Sequence, residues 1–249
     1  MIDRLFPSLR DFVASFAAAT PGGSAFELGG VTGGIVPAMP DRSVVNSVVY
    51  SDAAELEQRL PEIADTYDQA GIAAWTVWAH EGDERAASAL VASGSVLDGE
   101  PVAMGCELAG IEAPADGELD LSADPDRDGV VEVLADAYHW DNVGDALAWY
   151  DGYHPYLALS EGRPACTLAI HDHDHDAHVT LVGTTEAARG RGLATLLMRQ
   201  ALADARERGA TTSTLVATRL GHPVYRRVGY RDLGRVQMWE RRKPDPADA

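Results

Sequence analysis

Apolar and polar positions follow a regular order in the second half of the chain. Apolar runs at residues 178–185 ("HVTLVGTT") and 211–218 ("TTSTLVAT") predict two strands. Between them, residues 190–209 place their apolar side chains on one stripe and end at a glycine, which predicts an amphipathic helix. A short helix over residues 220–229 and a strand over residues 235–242 complete this predicted series.

The first half of the chain repeats this order. The matching elements are a strand at residues 44–51, a helix at 53–71, a strand at 73–80, a helix at 83–94 and a strand at 101–108. Gly71 and Gly209 lie 138 positions apart, and Met104 and Met238 lie 134 apart. A match at this period favours duplication of a domain, although any strand–helix–strand chain can be aligned with itself to some extent.

The stretch between the two halves has the composition of a linker. Residues 109–126 ("AGIEAPADGELDLSADPD") are polar, acidic and rich in residues that form turns. We therefore place the domain boundary near Pro114, which gives one domain over residues 1–113 and another over residues 114–249.

Composition indicates a folded protein of the cytoplasm. Apolar residues make up 46% of the 249 positions, and no segment has the pattern of a signal peptide or a membrane span. Cys106 and Cys166 are the only cysteines, which are too few for a disulfide framework and are interpreted as core residues. The formal charge of −19, with one lysine, is typical of proteins from salt-loving archaea and argues against a nucleic-acid partner.

Positive charge is nevertheless concentrated in one segment. Residues 189–242 contain 12 arginines and four acidic residues. At its start, Arg189 and Arg191 alternate with glycines between a predicted strand and a predicted helix. The first N–H groups of a helix bind anions, so this turn predicts a phosphate site. The turn matches neither the P-loop sequence motif nor the dinucleotide-binding sequence motif.

This turn resembles the acyl-CoA signature of the GNAT superfamily of N-acetyltransferases, [RQ]-x-x-G-x-[GA], through Arg189, Gly192 and Ala194. The family's later motif, roughly "LY-x-x-x-GF", is similar to "VYRRVGY" at residues 224–230. The resemblance implies an α/β (α+β) fold with two tandem GNAT-like domains, each a mixed, mostly antiparallel sheet flanked by helices. The arrangement would be similar to tandem GNAT proteins of the mycothiol synthase type, with acetyl-CoA as co-substrate.

The resemblance also implies roles for particular residues. Main-chain groups near Val182 and Thr184 would pair with the pantetheine arm, and Tyr225 would be the general acid. Glu186 is a candidate general base, and a water-mediated route is an equal alternative. The pyrophosphate would be held by the main chain of Arg189, Gly190, Arg191, Gly192, Leu193, Ala194 and Thr195.

The acceptor is expected to be an amine, in a small molecule or a peptide. Six of the chain's 17 aromatic residues lie in residues 138–156, where the resemblance implies the acceptor site, although such a cluster also suits a core. The alternatives are a protein N-terminal or lysine acetyltransferase and a CoA-binding module without turnover. The "HDHDHDAH" run at residues 171–178 is interpreted as an acidic turn, with a metal site as the alternative.

The first half lacks the features that the resemblance assigns to the second. Asp52, Glu55 and Glu57 stand where the second half has its arginines and glycines, and Leu90 stands at the position of Tyr225. The first domain is therefore predicted to be a degenerate copy that neither binds CoA nor catalyses transfer.

Overall fold

A computed structural model describes residues 1–243. Its helices are α1 (Ile2–Ala19), α2 (Ala53–Gln69), α3 (Glu84–Ala92), α4 (Arg127–Tyr138), α5 (Val143–Ala146), α6 (Leu193–Glu207) and α7 (His222–Val228). Its strands are β1 (Ser24–Leu28), β2 (Val31–Ile35), β3 (Ser47–Tyr50), β4 (Ala74–His80), β5 (Val96–Gly99), β6 (Val102–Glu107), β7 (Tyr153–Ser160), β8 (Arg163–His173), β9 (Asp176–Thr184), β10 (Thr212–Ala217) and β11 (Arg231–Arg242). The predicted elements are present, while the sequence pattern predicts none of α1, β1 and β2.

The chain forms two compact units. The larger unit contains Met1–Ser8 and Val102–Leu233, and the smaller unit contains Leu9–Pro101 together with residues 234–243. The boundary predicted near Pro114 falls inside the larger unit. The prediction that each unit is a copy of one ancestral domain stays a prediction.

The larger unit is built on a mixed sheet in the order β6-β10-β9-β8-β7. Neighbouring strands are antiparallel except β9 and β10, which are parallel. Helices α4 and α6 both pack on this sheet. Apolar side chains of α6, such as Leu197 and Met198, are fully buried in the core, because the stripe predicted from the sequence faces the strands.

Strands β9 and β10 pair over only three residues. Asp176, Ala177 and His178 are paired with Thr212–Thr214, whereas β9 continues to Thr184 and β10 to Ala217. On its other side β9 keeps its pairing with β8, but the register shifts between Thr167 and Ala169, and Leu181 has a φ of 51°. This bulge changes the direction of β9 and leaves the second half of its edge outside the ladder with β10.

A buried carboxylate joins the strands where they do pair. Asp176 is 1% exposed, and its carboxylate accepts hydrogen bonds from the hydroxyls of Ser8 (2.9 Å), Thr212 (2.7 Å) and Thr214 (2.6 Å). Because a buried charge without hydrogen bonds is strongly unfavourable, these three donors are needed to keep Asp176 inside. The contacts hold the start of β9, the start of β10 and the first turns of α1 together.

The smaller unit has a sheet in the order β1-β2-β3-β4-β11, with β5 paired to the other edge of β11. Only β3 and β4 are parallel neighbours. Helix α2 packs on β2 and β3 and on α3, and it contributes four side chains to the core: Leu56, Leu60, Ile63 and Tyr67.

The last strand of each sequence half belongs to the unit formed mainly by the other half. Strand β6 comes from the first half but pairs with β10 in the larger unit, over residues 102–107. Strand β11 comes from the second half, but from Gly234 onward it belongs to the smaller unit and pairs with β4. Cutting the chain between residues 113 and 114 therefore separates strands from their partners.

We expect a fragment of residues 114–249 to lack a cooperative thermal transition. Without β6 it has an unpaired β10 edge, and the core loses Met104, Cys106 and Leu108. A fragment of residues 102–249 keeps β6 and lacks Ser8 just as the shorter fragment does, so it is the matched control, and we expect its melt by circular dichroism to be the more cooperative of the two. A cooperative melt of the shorter fragment would contradict this strand assignment.

Candidate functional site

The turn between β9 and α6 depends on two glycines. After a single 3₁₀ turn at Glu186–Ala188, Gly190 has a φ of 77° and Gly192 a φ of 81°. Side chains disfavour this left-handed conformation, so glycine is the residue that fits here. An added Cβ at either position would meet no atom within 4 Å. Both glycines therefore border open space.

Helix α6 begins with an uncapped N-terminus. Gly192 is its N-cap residue, and within residues 1–243 no side chain accepts the first N–H groups of the helix. The N–H groups of Thr195 and Leu196 donate to the carbonyl of Gly192, at 3.0 and 3.2 Å. Those of Leu193 and Ala194 precede the first bonds of the helix, so they point to an anion site at the positive end of the helix dipole.

Two arginines lie exposed at the same turn. The Arg189 side chain donates through Nε to the carbonyl of Thr184 at 3.4 Å, and Arg191 donates through Nη1 to the hydroxyl of Ser160 at 2.8 Å. These contacts keep both guanidinium groups beside the turn. Their positive charge adds to the attraction of the helix terminus for an anion.

The part of β9 that is not paired with β10 leads into this turn and contains Val182 and Thr184. The carbonyl of Val182 accepts a hydrogen bond from the Tyr138 hydroxyl at 2.9 Å, and the hydroxyl of Thr184 donates to Cys166 Sγ at 3.3 Å. The sequence motif does not single out Tyr138, which ends α4. Cys166 is fully buried, as the sequence suggested for a core residue.

Tyr225 on α7 is connected to the same region. It is 7% exposed, and burial raises the pKa of its phenol, with smaller contributions in the same direction from Tyr138 and Cys166. Gly221, one turn earlier, leaves room for the ring, because an added Cβ would lie 2.9 Å from the Tyr225 hydroxyl. Tyr138, which donates to the carbonyl of Val182, is thus also one of the groups that raise the pKa of Tyr225.

Glu186 lies in the exposed 3₁₀ turn after β9. Its N–H donates to the carboxylate of Asp136 on α4 at 2.7 Å, which fixes the backbone of the turn. The hypothesis that the Glu186 side chain acts as a general base stays a prediction.

The aromatic segment at residues 138–156 is arranged in stacked pairs. Tyr138 stacks on Trp140 with ring centroids 4.9 Å apart, and Trp149 stacks on Tyr153 at 5.4 Å. Tyr150 lies 5.1 Å from Tyr153 between ring centroids. Since Trp149 is 39% exposed and Tyr153 only 5%, the cluster runs from the surface into the interior of the larger unit.

The histidine-rich run forms the hairpin between β8 and β9. His171 and His178 face each other across the ladder, and both are buried. Burial lowers the pKa of His178 to about 3, with further lowering by His171 and His173, so its imidazole is neutral. Over residues 1–243, no three histidine, cysteine or acidic side chains are grouped as a metal site would require.

Helix α2 of the smaller unit, which the sequence alignment of the two halves places opposite α6, has a different N-terminus. Asp52 is the N-cap of α2, and its Oδ1 accepts from the N–H groups of Ala54 at 2.7 Å and Glu55 at 3.0 Å. The chain's own carboxylate thus occupies the position that an anionic ligand would need. None of the helices in the described part of the chain is long and apolar enough to cross a membrane.

The fold is a mixed α/β fold of the N-acetyltransferase type. A GCN5-related N-acetyltransferase from Kribbella flavida superimposes with a TM-score of 0.71 at 18% identity, covering 98% of this chain and 97% of that one. One from Sphaerobacter thermophilus gives 0.57 at 16% identity, with 86% and 78% covered. A tandem GNAT protein from the clavulanic acid biosynthesis pathway gives 0.58 at 13% identity, with 98% and 96% covered.

The sequence match is more specific than the likeness of fold. Residues 117–230 match the model of the acetyltransferase (GNAT) family, and this match indicates an acyltransferase. No significant match was found among proteins of curated function. The matched segment lies within the larger unit and contains every residue of the predicted site.

We expect Gly192→Val to weaken acetyl-CoA binding by at least about a hundredfold in calorimetry, because losing two charge-assisted hydrogen bonds has an effect of this order. Gly209→Val is the matched control. Gly209 ends the same helix with a φ of 104° and open space around it, so it imposes similar strain away from the turn. Equal losses of acetyl-CoA affinity in both variants would show that backbone strain, and not a change at the binding turn, weakens binding.

Proposed function

We propose that the larger unit transfers the acetyl group of acetyl-CoA to the nitrogen of an amine. The observation that carries this proposal is the uncapped, arginine-flanked N-terminus of α6 directly after the unpaired edge of β9. Acetyl-CoA combines a pyrophosphate with an extended amide-containing arm. The N–H groups of a helix terminus can bind the pyrophosphate, and an open strand edge can hydrogen-bond the amide groups of the arm.

The pyrophosphate is expected at the turn from Arg189 to Thr195. Both glycines give the ligand access to the backbone, and the two guanidinium groups stand beside it. The pantetheine arm is expected along β9 near Val182 and Thr184. The carbonyl of Val182 already accepts a bond from Tyr138, so we assign the arm to the main-chain groups that remain along this edge.

The reaction requires a proton for the departing thiolate. The amine nitrogen attacks the thioester carbonyl, a C–N bond forms and the C–S bond breaks. Burial raises the pKa of Tyr225, so its hydroxyl stays protonated at neutral pH and can donate. An ordinary thiol has a pKa of about 8.5 and a phenol one of about 10, so complete proton transfer is uphill and a hydrogen bond from Tyr225 suffices.

The amine must lose a proton before or during attack. Glu186 and a water-mediated route remain the two candidates for removing it. The exposed position of Glu186 supports contact with solvent as well as with a substrate, so its role is to be tested by the pH dependence of a Glu186→Gln variant.

We propose that the smaller unit is a GNAT-like copy that has lost the donor site. Asp52 caps α2, and Leu90, which has no proton to donate, stands where Tyr225 stands in the other half. The tandem GNAT protein of the clavulanic acid pathway, which aligns along nearly the whole chain, supports a tandem arrangement. We expect the enzyme to act in the cytoplasm on an amine of a small molecule, with peptide amines as the alternative acceptors.

Replacing Tyr225 with phenylalanine should lower turnover by about 10- to 1000-fold, within the effect of a positioned acid. The ring and its packing remain, so acetyl-CoA affinity should change little. Thiol release measures turnover and calorimetry measures binding. If the variant loses binding and turnover to the same extent, Tyr225 has a packing role. If the wild-type protein binds acetyl-CoA without turnover, it is a CoA-binding module.

Calorimetry should find one acetyl-CoA per chain. The N-terminus of α2 is occupied by the Asp52 carboxylate, whereas the N-terminus of α6 is open to an anion. Asp52→Asn keeps a capping side chain and removes its charge, and it should leave the stoichiometry unchanged. Two equivalent sites per chain would contradict the loss of the donor site in the smaller unit.

A further inference from the structure

A leucine stands in a backbone conformation that favours glycine, in the part of β9 where the pantetheine arm is expected. Leu181 has a φ of 51°. Leu181 and Val182 together lie opposite a single residue of β8, Leu168, which defines a bulge. In a bulge the left-handed position usually belongs to glycine, because a Cβ there crowds a carbonyl oxygen. Such a strained residue persists only where its surroundings hold it, so the bulge needs support from outside β9.

The hydroxyl of Tyr138, at the end of α4, bonds to the backbone next to this leucine. It donates to the carbonyl of Val182 at 2.9 Å. Burial raises the pKa of Tyr138 to about 12, so the hydroxyl is protonated at neutral pH and remains a donor. The contact fixes the direction of the peptide group that follows the bulge.

The last turn of α4 meets the same segment at two further points. An added Cβ at Gly183 would lie 3.2 Å from the Cβ of Ala137, so glycine allows the helix to approach β9 closely. The carboxylate of Asp136 accepts the N–H of Glu186 at 2.7 Å. Helix α4 therefore holds both the strand after the bulge and the turn that leads to the proposed pyrophosphate site.

The bulge matters for the ligand because it lies where the ladder between β9 and β10 ends. The two strands pair over residues 176–178 of β9, and the strand beyond them has an edge outside that ladder. A bulge bends its strand and ends regular pairing. If Leu181 relaxed to an extended conformation, this bend would be lost, and the edge would no longer be presented to a ligand.

We propose that Tyr138 and Asp136 are positioning residues for the donor: by bonding to β9 and to the turn after it, they hold the bulge at Leu181 and keep the strand edge open for the arm of acetyl-CoA. This inference rests on the proposed function, which expects acetyl-CoA along this edge. Without the Tyr138 bond, part of the population relaxes at Leu181. Affinity then falls in proportion to the fraction of chains that stay open.

The test is a double-mutant cycle between Tyr138→Phe and Leu181→Gly, read by acetyl-CoA affinity in calorimetry. Glycine adopts this conformation without strain, so the bulge no longer depends on the Tyr138 bond. Tyr138→Phe should weaken affinity about three- to tenfold in the wild-type chain, the usual effect of one hydrogen bond, and less than about twofold in the Leu181→Gly chain. A residue that only packs near the site would weaken affinity equally in both chains.

Two additions keep this test decisive. If Leu181→Gly itself abolishes binding, Leu181→Asn takes its place, because asparagine also tolerates the left-handed conformation. Tyr67→Phe is the matched control, since the Tyr67 hydroxyl also donates to strand carbonyls, those of Gly34 at 3.0 Å and Ser47 at 3.2 Å in the smaller unit. It should lower the melting temperature and leave acetyl-CoA affinity unchanged, which separates a general loss of stability from a change at β9.

The contact of Asp136 is tested by comparing Asp136→Ala with Asp136→Asn. Both variants remove the charge, but asparagine keeps an oxygen that can accept the N–H of Glu186. Asp136→Ala should therefore bind acetyl-CoA about three- to tenfold more weakly than Asp136→Asn. Equal affinities of these two variants would contradict a positioning role for Asp136.

Several results would overturn the role of Tyr138. They are an unchanged affinity of Tyr138→Phe, an equal loss in the wild-type and Leu181→Gly chains, and tighter binding, which would show that the hydroxyl competes with the arm for the Val182 carbonyl. The measurement uses acetyl-CoA alone, so it is independent of the acceptor. A wild-type protein that fails to bind acetyl-CoA would instead refute the proposed function itself, so the two failures are distinguishable.

Discussion

The candidate site depends on a parallel strand pair that is held together at one end only. Asp176 accepts three buried hydroxyl bonds at the start of β9 and β10, and the ladder between the strands covers three residues. Beyond it, the bulge at Leu181 turns β9 away from β10. A continuous ladder would satisfy the backbone of β9 internally and leave no edge for a ligand.

Helices α2 and α6, each of which follows a strand, show how a local choice decides whether an anion can bind. Helix α2 uses the carboxylate of Asp52 to satisfy its first N–H groups, which stabilises the helix by about 1 kcal/mol. Helix α6 begins at Gly192 without such a cap. Helix α6 therefore lacks the stabilisation that a capping side chain provides, and a bound phosphate would supply it by accepting hydrogen bonds from the first N–H groups.

Locally unfavourable features are found in the larger unit. Gly190 and Gly192 hold backbone conformations that other residues disfavour, and the hydroxyl of Tyr153 is buried without a partner among residues 1–243. Each lowers the stability of the folded chain without its ligand. Such features are expected where a protein is organised around a ligand, since binding supplies the missing contacts.

The sequence by itself determined many of the local elements, although its pattern predicted none of α1, β1 and β2. Apolar periodicity identified the strand, glycine turn and helix from β9 to α6 and the helix over residues 53–71, because helix signals act over a few residues. Only the tertiary structure decided that β6 joins β10 and that β11 joins β4 from Gly234 onward. The alternation of a strand specifies which face is buried and does not name its partner. The contact of Tyr138 with Val182 and the unpaired hydroxyl of Tyr153 likewise arise from packing between elements distant in sequence, which no local pattern encodes.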